Sequence, residues 1–178
     1  KSLGGDGLYY GGVLQAGVKL IKQAYDILPH TMVRGGGDGL DGPEMLTAVG
    51  FPAAEGWYFT NASPHAMDDP KAGDFIKRYT AKFGVQPDDY AITAYVGAQV
   101  ILAAIKTVAA TGKPVTRSAV RNAIQATKMD SLIGPISFDA NGDLVTKVVS
   151  IFQCVKDPAH PLDDMEYQFK YIGIAPEA

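Results

Sequence analysis

Short apolar runs closed by glycine or proline alternate with helical periodicity over the first third of the chain. Gly7-Leu8-Tyr9-Tyr10 is a β-prone run ended by Gly11-Gly12. From Val13 to Leu28 the apolar positions are Val13, Ala16, Gly17, Leu20, Ile21, Ala24, Ile27 and Leu28. That spacing predicts a helix, which Pro29 stops. Thr31 to Arg34 reads as a second strand ended by Gly35-Gly36-Gly37, and Pro43 opens a short helix reaching Val49. Trp57 to Thr60 reads as a third strand, with a polar loop from Asn61 to Asp69. Strand, helix, strand, short helix, strand is the rhythm of a parallel sheet with right-handed crossovers. In such sheets the loops at the carboxyl ends of the strands form the ligand crevice, and the glycines sit there.

The second half is more helical. Lys71 to Phe83 is amphipathic and ends at Gly84. Gln86-Pro87-Asp88-Asp89 is a turn, with Asp88 or Asp89 as N-cap of an apolar helix running to Ala110. The uncharged stretch Tyr90 to Ile105 is too short to span a bilayer and reads as a buried helix. Thr116 caps a further helix to about Thr127. Pro135 to Phe138, a turn at Asn141-Gly142, and Val148 to Val155 read as a hairpin, and Tyr167 to Ile172 as a last strand. The Gly84–Asp89 turn is the expected crossing between two lobes, dividing the chain into 1–86 and 87–178.

Composition narrows the classes. The 178 residues carry 47% hydrophobic and 20% charged residues with a net charge of −3, which excludes wholesale disorder. The acidic balance argues against non-specific nucleic-acid or anionic-membrane binding, since both need a basic footprint. The one cysteine, Cys154, allows no disulfide within the chain and no CxxC motif; it lies in an apolar strand as a buried, inert thiol. Lys1-Ser2-Leu3 is neither a signal peptide nor a start, so a removed leader or a fragment is expected.

Most chemical motifs have plain explanations. Gly37-Asp38-Gly39-Leu40-Asp41-Gly42 matches GxGxxG, but two carboxylates inside the loop repel a pyrophosphate and the helix behind it is short. The same loop suits a cation better, since Asp38 can take an ammonium group by charge-assisted hydrogen bonds. Taken alone, a turn aspartate satisfying local amides is the simpler account. Asp139 to Asp143 begins like a calcium loop but has Leu144 at position six and Ser150 at position twelve, so it reads as a turn. His30, His65 and His160 lack metal-ligand spacing and read as solvated, as do Asp68-Asp69 and Asp88-Asp89 at helix starts. Asn61-Ala62-Ser63 is a formal glycosylation sequon whose meaning depends on the source of the protein. Tyr9 and Tyr10 read as strand residues, one on each face. Tyr90 begins the long helix, where it either faces a cleft or staples the helix start; position alone does not choose. No nucleophile, base and oxyanion hole assemble.

Four stretches in order carry a resemblance. They are Asp6-Gly7-Leu8-Tyr9-Tyr10-Gly11-Gly12, then Gly36-Gly37-Asp38-Gly39, then Ala53 to Thr60, then Ile133 to Asp143. Together, over nearly the whole chain, they resemble the second half of a branched-chain amino-acid (Leu/Ile/Val) type periplasmic solute-binding protein of ABC importers. The resemblance implies an α/β, type I periplasmic-binding-protein fold, with parallel sheets flanked by helices and two lobes that close on a small solute. It implies that the chain starts inside the second lobe and is incomplete, the absent amino-terminal half holding the ligand's α-carboxylate. Asp38 falls where the family places an acidic residue on the α-ammonium, one methylene shorter here than a glutamate. Tyr90 falls where an aromatic residue lines the side-chain pocket. Val13 stands where leucine binders carry a tyrosine, a departure that bears on the solute. Gly12 and Gly37 complete the expected ligand set, with no catalytic residue, metal or cofactor.

The expected function is therefore an extracytoplasmic binding component, periplasmic or lipid-anchored, that delivers an amino acid or similar solute to an ABC permease. Ligand would stabilise the closed state by population shift. The alternative is a sensor domain of a receptor or regulator with the same fold, and a third reading is a nucleotide-binding enzyme using Gly37, Gly39 and Gly42. Half a cleft is expected to bind poorly and to leave apolar faces bare, so the chain is expected to dimerise, exchange elements or pair with its missing half.

Overall fold

Glycine sets how closely the first strands and their loops approach. The computed structural model describes residues 4–176, which form two compact units, 4–62 with 149–176, and 63–148. In the first unit β1 (Gly7–Tyr10), β2 (Val33–Gly36) and β3 (Trp57–Asn61) run parallel. α1 (Leu14–Ile27) crosses from β1 to β2 as its periodicity predicts, burying Leu14, Gly17, Ile21 and Ala24 on one face. The second strand starts two residues later than expected and keeps Gly35 and Gly36 inside it. Met32 is held in a turn by its N–H to Pro29 O, and a Cβ on Gly36 would stand 2.5 Å from Tyr10 O. The glycines are therefore strand residues that admit their neighbours, rather than terminators.

The sheet is mixed. β6 (Ser150–Cys154) and β7 (Phe169–Ile174) join it antiparallel, giving the order β1-β2-β3-β6-β7. This corrects the expected hairpin of Pro135–Phe138 with Val148–Val155. Instead β5 (Gly134–Ile136) folds back on β4 (Met129–Ser131), and pairing across the Asn141-Gly142 turn stops at the single bridge Phe138–Leu144. Phe152 stacks on Phe59 at 5.4 Å and Phe169 meets Phe59 edge-on at 4.8 Å, an aromatic cluster that the local turn cannot match. The last strand likewise starts later than expected, because Asp164 caps a helical turn, α5 (Met165–Gln168), ahead of it. Cys154 is fully buried, and that burial, with Glu55 nearby, pushes its thiol up to about 12.

In the second unit α2 (Gly73–Phe83) ends at Gly84 in the left-handed conformation, φ 75°. α3 (Asp89–Ala110) is capped by Asp88, and α4 (Arg117–Gln125) by Thr116. The Gly84–Asp89 turn lies inside this second unit. It joins two helices of one core, where Phe75 and Tyr95 lie 4.6 Å apart, and the chain passes between units at Ala62/Ser63 and Val148/Val149. α3 is also not a buried helix. Ile92, Val96, Val100, Ala104 and Val108 form a buried stripe, while Ile101 is 48% and Leu102 57% exposed. Ile124 of α4 and Met129 and Ile136 of the β4–β5 hairpin pack with Val96 and Val100 of that stripe, while Ile92 packs with Phe75 of α2. At 22 residues the helix is long and apolar enough, by length and composition only, to cross a membrane, beyond the shorter run expected.

Candidate functional site

Because β1, β2 and β3 are parallel, their carboxyl ends open on one edge of the sheet and bring three loops together. Tyr10 leads into Gly12 and Val13, β2 leads into Gly37 and Asp38, and β3 ends at Asn61. The first two loops touch: a Cβ on Gly39 would collide with Gly12 O and stand 3.1 Å from Val13 Cα. Only glycine fits at position 39, so the sequence itself sets the approach of the Asp38 loop to the start of α1. Tyr10 supports the other side. Its hydroxyl donates to Val13 O at 3.2 Å, and its ring fills the space left by Gly17.

Asp38 opens a single 3-10 turn, Asp38–Leu40, closed by the N–H of Asp41 donating to Asp38 O at 2.9 Å. Asp38 is exposed, whereas Leu40 beneath it is fully buried and anchors the loop. Val13 is the N-cap of α1 and supplies no side-chain cap to its first amides. Asn61, 1% exposed, donates from Nδ2 to Asp41 Oδ2 at 2.5 Å. Four of the five expected residues, Gly12, Val13, Gly37 and Asp38, thus share one rim. The fifth, Tyr90, is 36% exposed at the start of α3, in the second unit.

The glycine loop gives nucleotide chemistry little to work with. It leads into the 3-10 turn and one π-type turn at Met45–Val49, not into a long helix with amides for a phosphate. At the carboxyl rim the exposed Asp38 stands among close backbone segments, and a carboxylate is chemically suited to a cationic group. The sequon is structural. Asn61 and Ser63 are 1% and 2% exposed, so neither is available in the folded protein. The Asp139 loop is a turn: Oδ1 accepts the N–H groups of Asn141 and Asp143, and no group of metal-ligating side chains forms among the described residues.

Two expectations about charged residues are corrected in the second unit. Asp89 is buried rather than solvated, and His65 is mostly buried. His65 Nδ1 lies 2.7 Å from Asp89 Oδ2, its Nε2 lies 3.5 Å from Asp68 Oδ2, and Asp89 Oδ1 accepts the Ala66 N–H at 2.8 Å. His160 is also not simply solvated, as its ring stacks on Tyr167 at 3.4 Å. The Asp89 hydrogen bond, aided by the charges of Asp89 and Asp68, raises the His65 pKa above 6.5 against the opposing effect of burial. A raised folded-state pKa gives stability that is complete below the unfolded value and is lost as pH rises through the folded value. The stability difference between wild type and His65→Gln is therefore expected to be largest below about pH 6.5 and to shrink with rising pH. Urea unfolding across that range checks this; a difference that is flat or grows with pH contradicts it.

The first unit is thus a mixed α/β sheet whose three parallel strands gather glycine loops and the exposed Asp38 at one rim. The chain belongs to the periplasmic binding protein family, whose model matches residues 1–159. It is 32% identical over 154 residues to Leu/Ile/Val-binding protein homolog 3 of Brucella melitensis biotype 1, covering 86% of this chain and 40% of that protein. It is 30% identical over 149 residues to the Leu/Ile/Val-binding protein BraC3 of Rhizobium johnstonii, covering 83% and 39%. The crystal structure of a leucine binding protein, LivK, from Thermotoga maritima superposes with a TM-score of 0.76 at 26% identity, over 97% of this chain and 45% of that one. The fold is thus the type I periplasmic-binding-protein fold, and the chain spans about two fifths of the length of these curated relatives.

Proposed function

We propose that the chain is part of the solute-binding component of an ABC importer, working outside the cytoplasm and holding an amino acid or a similar small solute for a membrane permease. The observation that carries this reading is Asp38, exposed at the carboxyl rim on a loop that Gly39 brings against Gly12 and Val13. Family membership and the similarity to Leu/Ile/Val-binding proteins of Brucella and Rhizobium support it. Asp38 takes the solute's ammonium group, and the backbone at Gly12 and Gly37 frames it. Valine at position 13 offers only a short apolar surface, which suits a solute with an apolar side chain there. Tyr90 is assigned to the same solute on the family resemblance. The work is binding and release, with no bond made or broken.

The test is a thermal-shift panel on the protein encoded by the complete reading frame. It contains leucine, isoleucine, valine, phenylalanine, benzoate and an aliphatic amide. At a hundredfold excess over Kd, a bound solute stabilises the folded state by about 2.7 kcal/mol. The reading expects at least one amino acid to do so. Stabilisation only by solutes that lack an amine contradicts it.

A further inference from the structure

Asn61 occupies an unusual junction. It is the last residue of β3, and its register partner on β6 is Ser150. The chain leaves the first unit at Ala62/Ser63 and returns at Val148/Val149. Asn61 and Ser150 are therefore the register pair next to both crossings, and both are buried, at 1% and 0% exposure. From that junction the Asn61 amide donates across 20 residues of sequence to the Asp41 carboxylate. Asp41 in turn closes the 3-10 turn that begins at Asp38, through its N–H to Asp38 O.

We infer that Asn61 is a positioning residue for Asp38: through Asp41 it fixes the solute-binding loop to the strand pair that carries both crossings. The inference rests on the proposed role of Asp38. The chemistry asks for an amide at position 61. Nδ2 is a neutral donor, and Asp41 offers only acceptors, so the pair is satisfied without a second buried charge. A carboxylate at both positions sets like charges together at a buried site, and an amide at both removes the charge assistance. A strand end otherwise tolerates many residues, so this pairing accounts for asparagine where a glycosylation role is excluded by burial.

The experiment uses three variants of the protein from the complete reading frame: Asn61→Asp, Asp41→Asn, and the double variant in which carboxylate and amide exchange places. Two readouts are taken, amide hydrogen exchange over residues 37–42 without solute, and calorimetric affinity for the amino acid that stabilises the wild type. Each single variant is expected to speed exchange in that loop by at least about tenfold and to weaken the solute by about tenfold. The double variant is expected to restore both to within about threefold of wild type, since the bond reforms with its ends reversed. A merely structural role predicts lower melting temperatures with unchanged affinity, and that result overturns the inference. So do single variants whose loop exchange is unchanged, and a double variant no better than the singles. A wild type that binds no amino acid overturns the Asp38 reading and this role with it. A wild type that binds, with both singles indifferent, overturns this inference alone.

Discussion

Asp38→Asn, in the protein from the complete reading frame, is expected to weaken an amino-acid solute by about 2 kcal/mol, roughly thirtyfold. The substitution keeps the shape of the side chain and removes its charge. The 3-10 turn survives, because it is closed by the backbone of Asp38 and Asp41 and by the buried Leu40. What is lost is the charge-assisted half of the contact with an ammonium group. Stability should therefore change little while affinity falls, and calorimetry with urea unfolding separates the two. Equal affinity in variant and wild type removes Asp38 from the site.

The largest expected effect on stability is at Phe59. This ring is 1% exposed and meets Phe152 and Phe169, at 5.4 and 4.8 Å, where the parallel half of the sheet joins the antiparallel half. Phe59→Ala empties the centre of that cluster, which typically costs about 3–5 kcal/mol. Against a total stability of about 5–15 kcal/mol for an ordinary domain, that is a large share. Tyr58, its neighbour on the opposite face, is 36% exposed, so Tyr58→Ala should cost much less. Urea unfolding of the two variants checks the contrast; equal losses would mean that the aromatic cluster is not what joins the two halves of the sheet.

What the sequence made legible follows the range of the forces involved. The α1 periodicity, the Asp88 and Thr116 caps and the left-handed Gly84 are local, and each is present in the structure. The parallel order of β1 to β3 is legible because strand, crossover and strand have one favoured handedness. That order alone gathers Gly12, Val13, Gly37 and Asp38 at one rim. The partners of β6 were not legible. A turn at Asn141-Gly142 suggests a local hairpin, while the pairing of Phe152 with Phe59 spans about half of the chain. The same limit hides the polar pairs. His65 meets Asp89 across 24 residues and Asn61 meets Asp41 across 20, and no local pattern marks either. One signal was available for Asn61: a polar residue ending a strand at the carboxyl edge, where the glycine loops already pointed to a site. α3 misled because apolar composition reads as burial, whereas its buried positions recur only every fourth residue along one stripe.

Several large apolar side chains stand on the sheet face opposite the core, including Tyr9 at 72% and Val33 at 63% exposure. Parallel sheets in α/β proteins are ordinarily covered on both faces.

The central claim is that Asp38 receives the ammonium group of a solute. The direct measurement is a calorimetric cycle on the protein from the complete reading frame, with wild type and Asp38→Asn each titrated with an amino acid and with the same acid lacking its amine. The account predicts that wild type prefers the amino acid by at least about tenfold and that Asp38→Asn loses most of that preference, a coupling of about 1.4 kcal/mol or more. Equal preference in wild type and variant would contradict it.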